Sequence, residues 1–286
     1  MDNMDITIRE KLLDGQPLSP MDKVHLARHT ERPKITEYVD ALFTDFFEQK
    51  GDLHGKEDGS IFGGIAMFHG IPVTVIGHRK GNNLEENLVC NFGMPGPEGY
   101  RKALRMMQQA EKFHRSIITF IDTPGAYPGI EAEQFGQSQA IANNLAKMSA
   151  LKVPIIAVVT GEGSSGGALA IGVANRVYML ENSVYSILSP EGFSSILWGD
   201  SGMKEKACEV MKLTAADLKE FGVIDGIVRE PKGGAHRRPS VVFKALDELL
   251  YRDIKQLRGK SGNELAKSRY QKFRKIDERY MEGADS

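Results

Sequence analysis

Cysteine is nearly absent: the 286 residues contain only Cys90 and Cys208, far apart and in no C-x-x-C pair. That excludes a disulfide framework and a four-cysteine zinc ribbon, and two reduced, buried thiols are the expectation. A surplus of one charge is missing too, since 37 Lys and Arg stand against 38 Asp and Glu. Without a basic excess, neither nucleic acid nor an anionic membrane is expected as the main partner. No apolar run approaches the roughly 20 residues that cross a bilayer. The opening "MDNMDITIRE" lacks the basic-then-apolar layout of a signal peptide. A cytoplasmic location is the expectation. Low-complexity segments and obvious linkers are absent as well, while 41% of the residues are hydrophobic, enough for a large core.

The patterns that are present point to a repeated α/β chain. In "PKITEYVDALFTDFFEQKGD" the residues Ile35, Tyr38, Val39, Leu42, Phe43, Phe46 and Phe47 fall on one helical stripe, which predicts a helix. His25 and His29 have a metal-binding spacing, but no third ligand stands near them in sequence, and an ordinary helix face is the expectation. From residue 59 the period changes to two, giving a hairpin of 61–68 and 71–76 around His69-Gly70. Pro97-Glu98 opens a helix that runs to about Phe113. Two strand-loop-helix units follow. "SIITFIDTPGAYPG" precedes the helical "EAEQFGQSQAIANNLAKMSA", and "VPIIAVVTGEGSS" precedes the helical "GGALAIGVANRV". Their loops lie about forty residues apart, as in stacked repeats. Two β runs then flank Asn182-Ser183, and Thr214 with Asp217 caps a helix that Gly222 stops. A helix over 241–257 and a charged helical tail over 262–283 close the chain.

The stretch "VVTGEGSSGGALAIG" fits two motifs at once. Gly161 to Gly166 reads G-x-G-x-x-G, the turn of a dinucleotide-binding oxidoreductase, with Glu181 as the ribose acid. Gly163 to Gly167 reads G-x-S-x-G, which would make Ser165 the nucleophile of an α/β-type serine esterase, with Asp225 and His236 completing it. A third reading uses only the backbone. A Gly-Gly step at a helix start exposes unpaired N–H groups, and Gly125-Ala126 offers the same one repeat upstream. Two such turns on stacked units can aim donors at one point, forming an oxyanion hole. The recurrence favours this third reading. Valine at 167 is then expected to cost turnover with folding intact.

"FIDTPGAYPG", "GEGSSGGALAIG", "YSILSPEGFSSILW" and "GGAHRRP" together resemble the carboxyltransferase α subunits of bacterial acetyl-coenzyme A carboxylases, over nearly the whole chain from Ile35. The resemblance implies a crotonase-like spiral of ββα repeats with helical ends: 1–58 helical, 59–258 the core, 259–286 a charged helix. It implies transfer of a carboxyl group from carboxybiotin, borne by a biotin carboxyl carrier protein, to acetyl-coenzyme A, giving malonyl-coenzyme A for fatty-acid synthesis in an ATP-binding complex. A zinc-ribbon-bearing β subunit is the implied partner, in a heterotetramer, and this chain itself is expected to hold no metal. Carried over, Gly166 and Gly167 are the main catalytic donors, with Gly125 and Ala126 lining the pocket. Gly163, Ser164 and Ser165, together with Ser189, Pro190, Glu191 and Gly192, belong to the biotin site. By comparison with longer members, an N-terminal extension is not expected here. The apolar group Phe193, Ile196, Leu197 and Trp198 suggests the partner's docking face, and Arg79-Lys80 and His236-Arg237-Arg238 are candidates for coenzyme A phosphates.

Overall fold

In the computed structural model, which describes residues 3–276, the chain begins with α1 (Asn3–Leu13), α2 (Pro20–Ala27) and α3 (Ile35–Leu42). Ser19 caps α2 through a reciprocal box with Asp22, and Lys11 pairs with the same carboxylate at 2.7 Å. Strand β1 (Thr44–Glu48) leads into the hairpin β2 (Ile61–Phe68) and β3 (Ile71–His78). Its register is unbroken from Ile61↔His78 to Phe68↔Ile71, and it turns through His69 and Gly70, both at positive φ. Such a pair suits the right-handed twist of the strands.

After α4 (Leu84–Val89), α5 (Pro97–Lys112) buries Tyr100, Ala103, Met106, Met107 and Ala110 along one stripe. Then come β4 (Ser116–Thr123), α6 (Ile130–Gln134), α7 (Gln137–Ala150), β5 (Ile155–Ser164) and α8 (Ser165–Leu169). The remaining elements are β6 (Arg176–Leu180), β7 (Val184–Ser186), α9 (Pro190–Trp198), α10 (Lys204–Met211), α11 (Ala215–Glu220), β8 (Gly226–Val228), α12 (Pro239–Arg258) and α13 (Gly262–Arg274). The strands form one sheet in the order β1-β2-β3-β4-β5-β6-β8, with β7 beside the end of β5. Pairing is antiparallel through β1-β2-β3 and parallel from β3 onward.

Every residue of β4 and β5 is buried, as expected of parallel strands covered on both faces. Alternation divides their side chains between two cores. Ile118, Phe120, Ile156 and Val158 pack with Tyr38 of α3 and Leu246 of α12. Ile117, Ile121, Ile155 and Ala157 pack with Met106 of α5 and Met148 of α7.

Several expectations are corrected. The helix over Ile35 to Phe47 stops at Leu42, and Thr44–Glu48 forms an edge strand on β2, leaving Phe47 68% exposed. Aromatic residues satisfy a strand as readily as a helix, and the open edge of β2 decides between them. The helix after β4 breaks at Gly136, whose φ of 83° lies in the left-handed region. The helix at "GGALAIG" is only five residues long. The second β run after Asn182-Ser183 is three residues, because Ser189 caps a helix instead. The capping box at Thr214 and the left-handed Gly222 are present as read. The charged tail is helical from Gly262 to Arg274, and the part expected over 277–283 lies outside the described residues.

Candidate functional site

The site is built where two adjacent parallel strands end. In the β4/β5 register Thr123 stands opposite Gly163, so the loop after β4 and the start of α8 emerge side by side. Their contact is backbone on backbone. A Cβ at Gly167 would lie 2.6 Å from the Ala126 nitrogen and 2.7 Å from the Gly125 carbonyl carbon. Only glycine allows that approach. Gly125 has φ of 146°, a conformation other residues rarely adopt, and open space lies in front of its Cα. The Thr123 hydroxyl fixes this turn by accepting from the Gly125 N–H at 3.0 Å and donating to its carbonyl at 2.7 Å. Gln137 donates to the Pro95 and Tyr127 carbonyls and holds the rest of the loop.

At the other turn, Ser164 precedes α8 in extended conformation without a side-chain cap, so nothing from it covers the first amides of the helix. Those N–H groups have no partner within a helix. Because α8 is so short, its macrodipole is small and the local N–H groups carry the electrostatics. The structure therefore brings Gly167 against Gly125 and Ala126, while its neighbour Gly166 faces Ile141 and Gly163 fits against the Tyr185 ring.

Ser165 is exposed at the turn with φ of 53°, the strained strand-to-helix geometry also expected of a nucleophile elbow. A triad does not form around it. Asp225 accepts from the Val177 N–H at 2.7 Å and pairs with Lys272, while His236 stacks on His29 at 3.8 Å between ring centroids. The dinucleotide reading fails similarly, since Glu181 accepts from Arg229 and from the Glu230 N–H.

Ser189, Pro190, Glu191 and Gly192 form the head of α9. The Ser189 hydroxyl accepts from the Gly192 N–H at 3.1 Å, and Glu191 pairs with Arg28 of the N-terminal segment at 2.9 Å. Arg28 also reaches Glu162 at 2.7 Å; Glu162 meets Lys80 at 3.0 Å, and Lys80 meets Asp122 at 2.7 Å. Asp122 accepts in turn from the Glu162 N–H at 3.0 Å. Burial works to raise the Asp122 carboxyl, but Lys80 and the bonds it accepts hold it below the ordinary range. Lys80 is thus committed to an internal network. Arg237 and Arg238 are exposed.

His78, at the end of β3, is buried close to these groups, and burial pushes its pKa down to about 4, keeping it neutral. Residue-by-residue reading missed Arg28, His78, Asp122 and Glu162, and gave Lys80 a different role, toward coenzyme A phosphates. The available signal was an acid inside each of two apolar β runs, "FIDT" and "VVTGEG", since a buried charge requires a partner.

His25 and His29 both reach Asp5, at 3.2 and 3.3 Å. The nearby ligand atoms of His29 come instead from Glu31 and from His236, more than two hundred residues away in sequence, all within 4.8 Å. The His29 and His236 rings are stacked with 5° between their planes. An ion bound by both would require one ring to turn out of the stack, because an imidazole ligates in its own plane.

Comparison with known proteins agrees with this architecture. Residues 8–277 match the family described as acetyl co-enzyme A carboxylase carboxyltransferase-like. The acetyl-coenzyme A carboxylase carboxyl transferase subunit alpha of Geobacillus kaustophilus (strain HTA426) is 56% identical over 91% of this chain and 80% of its own length. The protein of the same name from Clostridium acetobutylicum is 55% identical over 96% of this chain and 99% of its own. Among solved structures, the transcarboxylase 12S hexamer core with methylmalonyl-coenzyme A and methylmalonic acid bound superposes with a TM-score of 0.61 at 18% identity. That superposition covers 82% of this chain and 45% of the other, and supports the crotonase-like fold. The chain belongs to the acetyl-coenzyme A carboxylase carboxyltransferase α-subunit family.

Proposed function

We propose that this chain is one half of a two-chain site that moves a carboxyl group from carboxybiotin to acetyl-coenzyme A, and that its two backbone turns hold the biotin end. The supporting observation is the contact between Gly167 and the Gly125-Ala126 peptide, which sets the Ala126 amide beside the first turn of α8, with open space in front of the Gly125 Cα. A neutral cyclic urea suits such a cradle, because it presents a carbonyl oxygen to N–H donors and needs no fixed counter-charge. Carboxybiotin supplies the carboxyl group, and its ureido oxygen gains electron density as that group leaves. The Gly166 and Gly167 N–H groups donate to that oxygen, while Gly125 and Ala126 close the pocket. Gly163, Ser164 and Ser165 shape the turn, and Ser189, Pro190, Glu191 and Gly192 form its neighbouring wall. The ureido nitrogen freed by the departing carboxyl group would take the proton that the thioester's methyl carbon loses, so no side chain of this chain is needed as nucleophile or base.

The biotin arrives on a carrier protein, and the coenzyme A thioester is held by a β subunit in the cytoplasm. An apolar cleft of about 560 Å³ lined by Ser165, Leu169, Tyr185, Ile187 and Phe193 supports a protein partner beside the turn. So does the exposure of Ile196, at 81%, and of Leu197. Trp198 is half-buried against Phe193 and tempers its own part in that surface. No helix of the described residues is long and apolar enough to cross a membrane.

Ser165→Gly separates this reading from a serine nucleophile. Glycine accepts φ of 53° without strain, so the backbone donors stay in place. Biocytin carboxylation by the variant, assembled with its partner, is expected to stay close to wild type. Removal of a nucleophilic serine costs on the order of a million-fold in turnover, and a loss of that size overturns the reading.

A further inference from the structure

The charged groups behind the glycine turn form one chain of ion pairs. Lys80 comes from the segment after β3, Asp122 from β4, Glu162 from β5, Arg28 from the cap of α2, and Glu191 from the first turn of α9. Arg28 alone of these touches both the strand that carries the turn and the helix beside it. Its Nε donates to Glu162 Oε1 at 2.7 Å, and its Nη1 and Nη2 donate to the two Glu191 oxygens at 2.9 and 3.4 Å. A planar guanidinium can serve two carboxylates from different edges in this way, whereas an ammonium is a single point. The anchor is firm: the Arg28 N–H donates to the Val24 carbonyl at 3.1 Å, and Val24, Leu26 and Ala27 are buried.

Charge makes the link more than mechanical. In the directly paired set, Arg28 and Lys80 stand against three carboxylates: Asp122, Glu162 and Glu191. That set carries one excess negative charge with Arg28 and two without it. Glu162 lies two residues before Ser164, so an uncompensated carboxylate would oppose any negative charge developing at the α8 amides.

We propose that Arg28 is a positioning residue for carboxyl transfer: it locks the head of α9 to the strand end that bears the glycine turn and offsets the carboxylates behind the donor amides. The proposal rests on the functional reading above. It concerns a step in which charge develops, so it falls on kcat and not on thioester binding.

The test uses the chain assembled with its partner subunit, with malonyl-coenzyme A and biocytin as substrates. Arg28→Met is expected to lower kcat about a hundredfold, the scale of a small misplacement at a reacting centre, with KM for malonyl-coenzyme A unchanged. Arg28→Lys is expected to recover part of that loss, since it restores charge but reaches one carboxylate. Glu191→Gln, at the half-exposed end of the link, is expected to lower kcat by itself and to add nothing to Arg28→Met, as for two residues in one interaction. An Arg28→Met complex that assembles and keeps wild-type kcat, a loss confined to KM, or additive effects of the two substitutions would each overturn the proposal. A wild-type complex without biocytin turnover would overturn the functional reading and this proposal with it.

Discussion

Gly167→Val is expected to lower carboxyl transfer about a hundred- to thousandfold while the chain still pairs with its partner. The physical cause is a collision between main chains. Any Cβ at 167 falls 2.6 Å from the Ala126 nitrogen and 2.7 Å from the Gly125 carbonyl carbon, neither of which can swing aside as a side chain would. The two turns must separate, and the donors proposed at Gly166 and Gly167 shift away from the Gly125-Ala126 loop. Losing one donor of this kind costs roughly 2.7–4 kcal/mol of transition-state stabilisation, a hundred- to thousandfold in turnover. Overpacking adds a folding cost of about 1–3 kcal/mol, so the intact folding expected from sequence gives way to a lowered melting temperature. Gly166→Ala is the control, because a Cβ there meets only Ile141 side-chain atoms at 3.4 Å and beyond. It keeps its N–H, and both its melting temperature and its turnover are expected to stay near wild type. Melting, partner binding and biocytin turnover measured on the same preparations decide the matter. Wild-type turnover in Gly167→Val would remove Gly167 from the donor set.

The largest stability loss is expected from Arg32→Met. Arg32 is 1% exposed and joins Glu230 through two bonds, at 2.5 and 3.1 Å, while its Nε donates to the Thr160 carbonyl of β5. Glu230 also accepts from the Asn182 N–H and side chain. Removing one partner leaves the other as an uncompensated buried charge, which costs about 3–5 kcal/mol. Burial acts to raise the Glu230 carboxyl, but Arg32 outweighs it and holds the group below the ordinary carboxylate range. A carboxyl depressed in the folded state contributes stability above its unfolded pKa and loses it as pH falls through the folded value. In Arg32→Met the cation is gone, so burial raises the carboxyl and the penalty is relieved as pH falls. The melting-temperature gap between wild type and variant should therefore be wide at pH 7.5 and narrower at pH 5. A gap that is constant or widens with acid contradicts this account of the pair.

What could be read from sequence was whatever depends on local pattern. The hairpin at His69-Gly70 needs only alternation and a turn pair, and the Thr214 cap needs only a spacing of three; both were legible. The glycine turns were legible because two of them recur on successive repeats. Phe43 to Phe47 was misread because a stripe of aromatics serves a helix and an edge strand equally, and the edge of β2 that decides is far along the chain. The five-residue α8 was overestimated because alanine and leucine favour helix, whereas Gly172, whose Cβ would lie 2.9 Å from the Ala168 carbonyl oxygen, serves a close backbone approach there. Long-range electrostatics left the weakest trace. Arg28 and Glu191 are 163 positions apart, and the stacked His29 and His236 are brought together only by the fold.

The claim at the centre of this account is that the chain holds half of a reacting site. Its most direct test is malonyl-coenzyme A-dependent carboxylation of biocytin, measured for the purified chain alone, for its β partner alone, and for the two mixed. Background rates are expected for each chain alone and robust turnover on mixing. Full turnover by this chain alone, or none from the mixture, would contradict it.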